Sequence, residues 1–188
     1  MSAAVGVRLG PLLSEHREPV EAIVRATGVF SEDEVAVALE LFDKTLGESE
    51  IENRKSKRHS PPGADFRFPI SDSPEYEFIG AFESDQLIGY ACFGATPSTD
   101  NTFDLYWIAV HPSAQRTGAG GVLMAEVEQR LLDRRARLLV VETSSRADYA
   151  STRRFYQKRG YETAAQLRDY YNRGDDRVVL TKHLTALS

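Results

Sequence analysis

Residues 111–132, HPSAQRTGAGGVLMAEVEQRLL, join a strand-like run, LYWIAV, to an amphipathic helix through a turn that holds Gly118, Gly120 and Gly121. Glycine in the first turn of a helix weakens it, because glycine loses more backbone freedom on folding than any other residue. What such a turn offers in return is bare backbone. The first amides of a helix have no intrahelical acceptor, and together with the helix dipole they favour an anion. Without Cβ atoms in the way, a phosphate can reach them, and Arg116 adds positive charge at the same place. A glycine-rich turn that merely joins strand to helix is the other reading of the same residues.

Two nucleotide motifs fail here. A P-loop needs Gly-Lys-Ser/Thr after the glycines, and Gly-Gly-Val-Leu follows instead; in a dinucleotide fingerprint the third glycine would fall where Leu123 or Met124 stands. At 188 residues, 41% hydrophobic and 27% charged, the chain fits one globular domain spanning 1–188. A formal net charge of -5 gives no general basic footprint for nucleic acid. Cys92 is the lone cysteine, which excludes a disulfide scaffold and a cysteine-ligated metal site; no metal is expected. No run is long and apolar enough for a membrane span, and MSAAVGVRLG lacks a signal peptide's apolar stretch, so a cytoplasmic protein without a membrane partner is expected.

Residues 5–10 alternate weakly and predict a first strand, and 15–28 a short helix closed by Gly28. Ser31 and Glu34 form a capping-box pattern, followed by Val35, Leu39, Phe42 and Leu46 at helical spacing, with Gly47 as the expected end. Glu32, Asp33, Glu40 and Asp43 on its other face read as a solvated surface. Residues 51–75 break every periodicity, carry a basic cluster (Arg54, Lys55, Lys57, Arg58) and predict a mobile loop. EYEFIGAFE and QLIGYACFGAT then predict a hairpin turning at Ser84-Asp85, and TFDLYWIAV a third strand. In the helix after the glycines, Val122, Leu123, Val127 and Leu131 fall on one face. A buried strand over 137–144, a helix closed by Gly160 and two strands around a turn at 172–176 complete the chain. The order predicts an α/β fold on a mixed sheet.

Gln115-Arg116-Thr117-Gly118-Ala119-Gly120 matches the Gln/Arg-x-x-Gly-x-Gly/Ala signature of the GNAT superfamily of N-acetyltransferases, and it follows Ile-Ala-Val-His-Pro as that family's signature follows its strand. YASTRRFYQKRGY resembles the family's next motif, a helix with a Phe/Leu-Tyr pair closing in Gly-Phe/Tyr. The resemblance runs over about 76–184. It implies a largely antiparallel mixed sheet of about seven strands with helices on both faces, and acetyl-CoA as co-substrate. Residues 1–50 fall in the variable helical region on the acceptor side, and 76–184 in the acetyl-CoA-binding core. The amides of about Arg116, Thr117, Gly118, Ala119, Gly120 and Gly121, with Gln115, would hold the pyrophosphate. Backbone groups of Ile108, Ala109 and Val110, freed by a splayed strand, would pair with the pantetheine arm. Tyr149 and Thr152 stand where the family's helix motif has asparagine and alanine; Tyr149 could stack on or cover the ligand.

Acetyl transfer to an amine needs a neutral nucleophile, donors for the oxyanion and a proton for the departing thiolate. By resemblance Tyr156 is the general acid, although Thr152, Phe155 and Tyr156 also read as one core-facing stripe. Glu142, in VVETSS, resembles a glutamate of ribosomal-protein alanine acetyltransferases and is the preferred base, its pKa raised by burial, or acting through water. The plain alternative is a salt-bridged acid at a strand end. Asp104 is a second choice. Tyr170 and Tyr171 resemble a tyrosine pair lying over the acceptor, which would be a peptide or a small-molecule amine. Asp175 and Asp176 would favour a cationic one. The chain would act as a monomer or homodimer. A coenzyme-A-binding sensor without catalysis is the alternative function.

Overall fold

Strands β1 (Arg8–Pro11), β2 (Tyr76–Glu83) and β3 (Gln86–Ala95) open the sheet, and the β2–β3 hairpin turns at Ser84 and Asp85, both at positive φ (48° and 66°). That pair of left-handed residues gives the tight turn whose twist matches the flanking strands. The structure, a computed structural model, describes residues 6–55 and 76–184. Helices α1 (Arg17–Thr27) and α2 (Glu32–Lys55) lie between β1 and β2 in the chain. Then follow β4 (Thr102–Val110), α3 (Ala119–Asp133), β5 (Leu138–Ser144), α4 (Ala150–Gln157), β6 (Glu162–Asn172) and β7 (Asp175–His183).

The seven strands form one sheet in the order β1-β2-β3-β4-β5-β7-β6. Only β4 and β5 run parallel; every other pairing is antiparallel. This is the mixed, largely antiparallel sheet expected. Its two faces carry separate cores. On one, Leu123, Met124, Val127 and Leu131 of α3 and Tyr156 of α4 pack against Ile79, Phe93 and Leu180. On the other, Val20 and Val24 of α1 and Val35 and Phe42 of α2 meet Phe78, Tyr90 and Cys92. β3 is buried on both sides from Leu87 to Gly94, which is why its sequence reads as a near-continuous apolar run.

The start of α3 shows which effect wins locally. Gly120 and Gly121 in its first turn cost about 1 kcal/mol each relative to alanine. Burying Leu123, Met124, Val127 and Leu131, all 0% exposed, stabilises by about 1.5–3 kcal/mol each. Packing holds the helix, so its first turn is free to be glycine. Val122 departs from the expected face and is 39% exposed, its place on the core side taken by Met124.

Helix α2 also departs from expectation. It begins at the Ser31–Glu34 box, with Ser31 N–H donating to Glu34 Oε2 at 2.7 Å and Glu34 N–H to Ser31 Oγ at 3.3 Å. It does not stop at Gly47 but continues to Lys55, since one glycine lowers helix stability without ending a helix. Residues 51–55 are therefore helical rather than loop, and the rest of the predicted mobile loop, with Lys57 and Arg58, lies outside the described residues. On the acidic face, Glu32 pairs with Arg25 and Asp43 with Arg17, both at 2.7 Å. No helix among the described residues is long and apolar enough to cross a membrane.

Candidate active site

β4 and β5 part company halfway along. Their parallel pairing runs from Thr102↔Leu138 to Leu105↔Val141 and stops. At that point β4 carries a bulge: Phe93 of β3 faces Leu105 while Cys92 faces Trp107, which leaves Tyr106 as the extra residue. A bulge bends its strand and disturbs the ladder beside it, so the parting has a local cause. Beyond it, His111 N–H donates to Ile88 O at 2.8 Å. The antiparallel alternation from that bond turns the backbone of Ala109 toward Tyr90 of β3 and that of Ile108 and Val110 toward the open edge. Free backbone was expected at all three residues; the register frees two, and Ala109 is committed to β3 and buried.

At the far end of this edge lies the glycine turn. Gly118 caps α3 in the left-handed region (φ 96°) with no side-chain cap, and Arg116 is also left-handed (φ 67°). The first α3 amide with an intrahelical acceptor is Val122, which donates to Gly118 O at 3.0 Å. The N–H groups of Ala119, Gly120 and Gly121 have no acceptor among the described residues. Gln115 Nε2 reaches Val110 O at 3.4 Å and Thr117 Oγ1 donates to Ala114 O at 2.7 Å, so these side chains hold the turn itself. His111 Nδ1 accepts from Ser113 N–H at 3.3 Å, a structural role in the preceding turn.

Arg159 was not singled out from the sequence, where KRG reads as a helix end. Its guanidinium lies 3.7 Å from the Phe155 ring centroid and donates to Phe155 O at 3.2 Å. One of its nitrogens is so close to Gly121 that a Cβ there would meet it at 2.6 Å. A cation stacked against the positive end of α3, with no carboxylate partner among the described residues, is electrostatically unfavourable unless an anion joins it.

The parted strands open into a cleft of about 510 Å³. Ile108, Val141 and Tyr156 line its inner part. Tyr156 is 3% exposed, and burial pushes its phenol up, against a smaller lowering effect of Arg159. Its hydroxyl has no hydrogen-bond partner among the described residues. Thr143 Oγ1, on the same cleft, is buried and equally without a partner. Thr152 lines the cleft one helical turn before Tyr156.

Glu142 also lines the cleft, but not as expected. Its side chain is 40% exposed and pairs with Arg177, whose other nitrogen donates to the Tyr170 hydroxyl at 3.0 Å. The burial that was to raise its pKa is absent, because the side chain points away from the α3 face that buries Val141 and Thr143. Asp104, the second choice, accepts from Thr96 Oγ1 at 2.6 Å and is not in the cleft lining.

On the other side of the sheet, Phe30, Trp107, Tyr149 and Tyr171 wall the cleft. Tyr149 OH and Arg146 Nη2 both donate to Val29 O at 3.2 Å, tying the α1–α2 turn to the segment before α4. Tyr149 thus anchors the α1–α2 turn, its phenol pushed up to about 12 chiefly by burial. The tyrosine pair splits: Tyr171 enters the lining, while Tyr170, 51% exposed, lies under Arg177 outside it. The two aspartates split as well. Asp176 accepts from Asp169 N–H at 2.9 Å and from Gln166, and these bonds hold it below the usual carboxylate range. Asp175 is buried at the cleft wall and accepts from Ser144 Oγ. No group of three or more potential metal ligands occurs among the described residues.

The acetyltransferase (GNAT) family model matches residues 40–161. A GNAT-family protein from Desulfovibrio desulfuricans is 35% identical, with a TM-score of 0.78 over 96% of this chain and 100% of its own. The ribosomal-protein-S18-alanine N-acetyltransferase from Escherichia coli shares the fold at 17% identity (TM-score 0.65, 97% of each chain). The PaiA N-acetyltransferase from Thermoplasma acidophilum, solved with coenzyme A, shares it at 17% identity (TM-score 0.61, 95% of this chain and 99% of its own). No curated protein matches the chain. The chain belongs to the GNAT family of acetyltransferases. It is an acyltransferase that uses acetyl-CoA.

Proposed function

We propose that this chain is a single N-acetyltransferase domain moving an acetyl group directly from acetyl-CoA to a primary amine, with Tyr156 as general acid and Glu142 as base. One observation carries the reading. The open edge of β4 connects bare amides to a buried, partnerless phenol: Val110 lies against Gly120, where a Cβ would meet its Cγ2 at 3.6 Å, and Ile108 lines the cleft with Tyr156. An anion site, an unpaired strand edge and a proton donor in that order fit a ligand with a diphosphate, an amide-bearing arm and a reactive end.

Ala119, Gly120 and Gly121 N–H groups and Arg159 would hold the phosphates, and the outward backbone of Ile108 and Val110 the arm. Acetyl-CoA supplies the acetyl thioester. The amine nitrogen forms the new C–N bond as the C–S bond breaks. Glu142 takes the proton that the nitrogen loses, directly or through a water, and Tyr156 gives one to the sulfur. The Val110 N–H, free on the open edge, is the donor for the developing oxyanion. Tyr156 suits the role of acid, because a phenol raised by burial stays protonated at neutral pH.

Calorimetric titration with acetyl-CoA, followed by free-thiol release with a panel of amines and peptides, tests the reading. Saturable binding and amine-dependent release are expected. Binding with no release from any acceptor favours a coenzyme-A sensor instead, and no binding removes the assignment. Replacing Arg159 by methionine is expected to raise the acetyl-CoA dissociation constant about tenfold, the scale of one charge-assisted hydrogen bond. The thermal midpoint should stay nearly constant, because the methionine thioether can take the guanidinium's place against the Phe155 ring. An unchanged dissociation constant would show that Arg159 only packs.

A further inference from the structure

Glu34 and Asp175 both line the cleft, beside Tyr149 and Tyr171. Glu34 comes from the first turn of α2, Asp175 from the start of β7. Burial chiefly raises the phenols of Tyr149 and Tyr171, and the negative charges of Glu34 and Asp175 add to both, so the four groups share one electrostatic neighbourhood.

Glu34 is exposed and has no ion-pair partner among the described residues, while Asp175 has only a distant, shared one. Glu34 accepts only from Ser31, through Oε2, and forms no ion pair among the described residues. Asp175, with a side chain 9% exposed, has Arg146 Nη1 at 4.0 Å as its nearest cation. That guanidinium is already taken by Asp148, with bonds of 3.2 and 3.0 Å, and by Val29 O. Two further cations lie nearby: Arg177 is taken by Glu142 and Tyr170, and Arg153 donates to the carbonyls of Ser144 and Arg146. A nearly buried carboxylate whose one counter-ion is distant and shared gains from a closer positive charge that a ligand brings. The aromatic rings suit the same visitor, since a cation binds over the face of tyrosine or tryptophan.

We propose that the acceptor is a primary amine carrying a second positive charge, which sits between Glu34 and Asp175 against Tyr149 and Tyr171 while the reacting nitrogen approaches Tyr156. This rests on the transferase reading above and names its substrate class. The second charge gives Asp175 a closer counter-ion than Arg146 does. It also orients the molecule, because only one of the two ends can reach the inner cleft while the other is held.

Thiol release at pH 7.5 with 1,4-diaminobutane, butylamine and 4-aminobutanoate compares a second charge that is positive, absent or negative at equal chain length. A kcat/KM about tenfold higher for the diamine than for butylamine is expected, with the amino acid poorest and the gap narrowing as salt is raised. A matched peptide pair, with lysine or norleucine at the second residue, separates a peptide source of the charge from a small-molecule one. An advantage of the charged member in either pair supports the proposal. Glu34→Gln keeps an amide oxygen to accept from Ser31 N–H while removing the charge, and should shrink the diamine-to-butylamine ratio toward one. Calorimetric titration of 1,4-diaminobutane into the coenzyme-A-saturated protein should show the same loss. Equal rates with and without the second positive charge overturn this inference and leave the transferase standing. A ratio unchanged by Glu34→Gln overturns the assignment of Glu34. Absence of release with every amine overturns the transferase reading and this inference with it.

Discussion

Tyr156→Phe is expected to lower kcat about a hundredfold, the low end of what a positioned proton donor contributes. The acetyl-CoA dissociation constant should stay within about threefold, because the ring remains and only its hydroxyl goes. Packing predicts the same. Tyr156 lies edge-on to Phe155 and Tyr161, with ring centroids 5.3 and 5.5 Å away, and phenylalanine keeps both contacts. The hydroxyl has no protein partner to orphan, so the thermal midpoint should hardly move. The pH dependence follows from the direction of the shift. Burial raises the phenol, so its protonated form persists further into alkali than an ordinary tyrosine's. Between pH 6 and 9 the acid therefore does not titrate, and the variant's loss should be uniform across that range, as read by thiol release at saturating amine. An unchanged kcat over this interval removes Tyr156 as the acid and returns it to the core.

The strands and helices were legible because their signals are local. The Ser84-Asp85 turn, the Ser31–Glu34 box and the Gly28 cap each depend on neighbours in sequence, and each stands where the residues put it. The end of α2 was not, since Gly47 resembles a terminator and only the context beyond it decides otherwise. The glycine turn announced bare amides for a similar reason, since these follow from residue type and helix geometry alone. The cleft wall made by Phe30, Trp107 and Tyr171 was less legible because it is assembled from distant segments. Phe30, Trp107 and Tyr171 come from the α1–α2 turn, the bulged strand and the last hairpin, and nothing in their spacing brings them together. Glu34 hid behind its capping role, and Arg159 behind a helix end. Glu142 shows the opposite limit. Its place in the cleft was readable from the strand, but its burial was not, because that depends on which face of β5 turns toward α3 and on Arg177, which comes from another strand.

Gly118→Val should weaken acetyl-CoA binding about a hundredfold, whereas Gly120→Ala should change it no more than about threefold. The two glycines do different things. A Cβ at Gly118 would meet nothing within 4 Å, so space is not the obstacle; its φ of 96° is. A β-branched residue held in the left-handed region costs at least about 1–2 kcal/mol, and the turn can relieve that only by rotating its peptide planes. Those planes belong to the cap of α3, and rotating them turns the first amides away from their common focus. At Gly120 the backbone is helical, and a Cβ would meet Phe155 at 3.5 Å and Val110 at 3.6 Å, ordinary van der Waals contacts. Alanine fits there and even favours the helix, by up to about 1 kcal/mol. Calorimetric titration of acetyl-CoA, with thermal midpoints measured alongside, separates lost binding from lost folding. A Gly118→Val protein that remains folded and binds normally would show that the amides after position 118 do not hold the coenzyme. A Gly120→Ala protein that fails to bind would mean that the phosphates approach the backbone at Gly120 more closely than a methyl group permits.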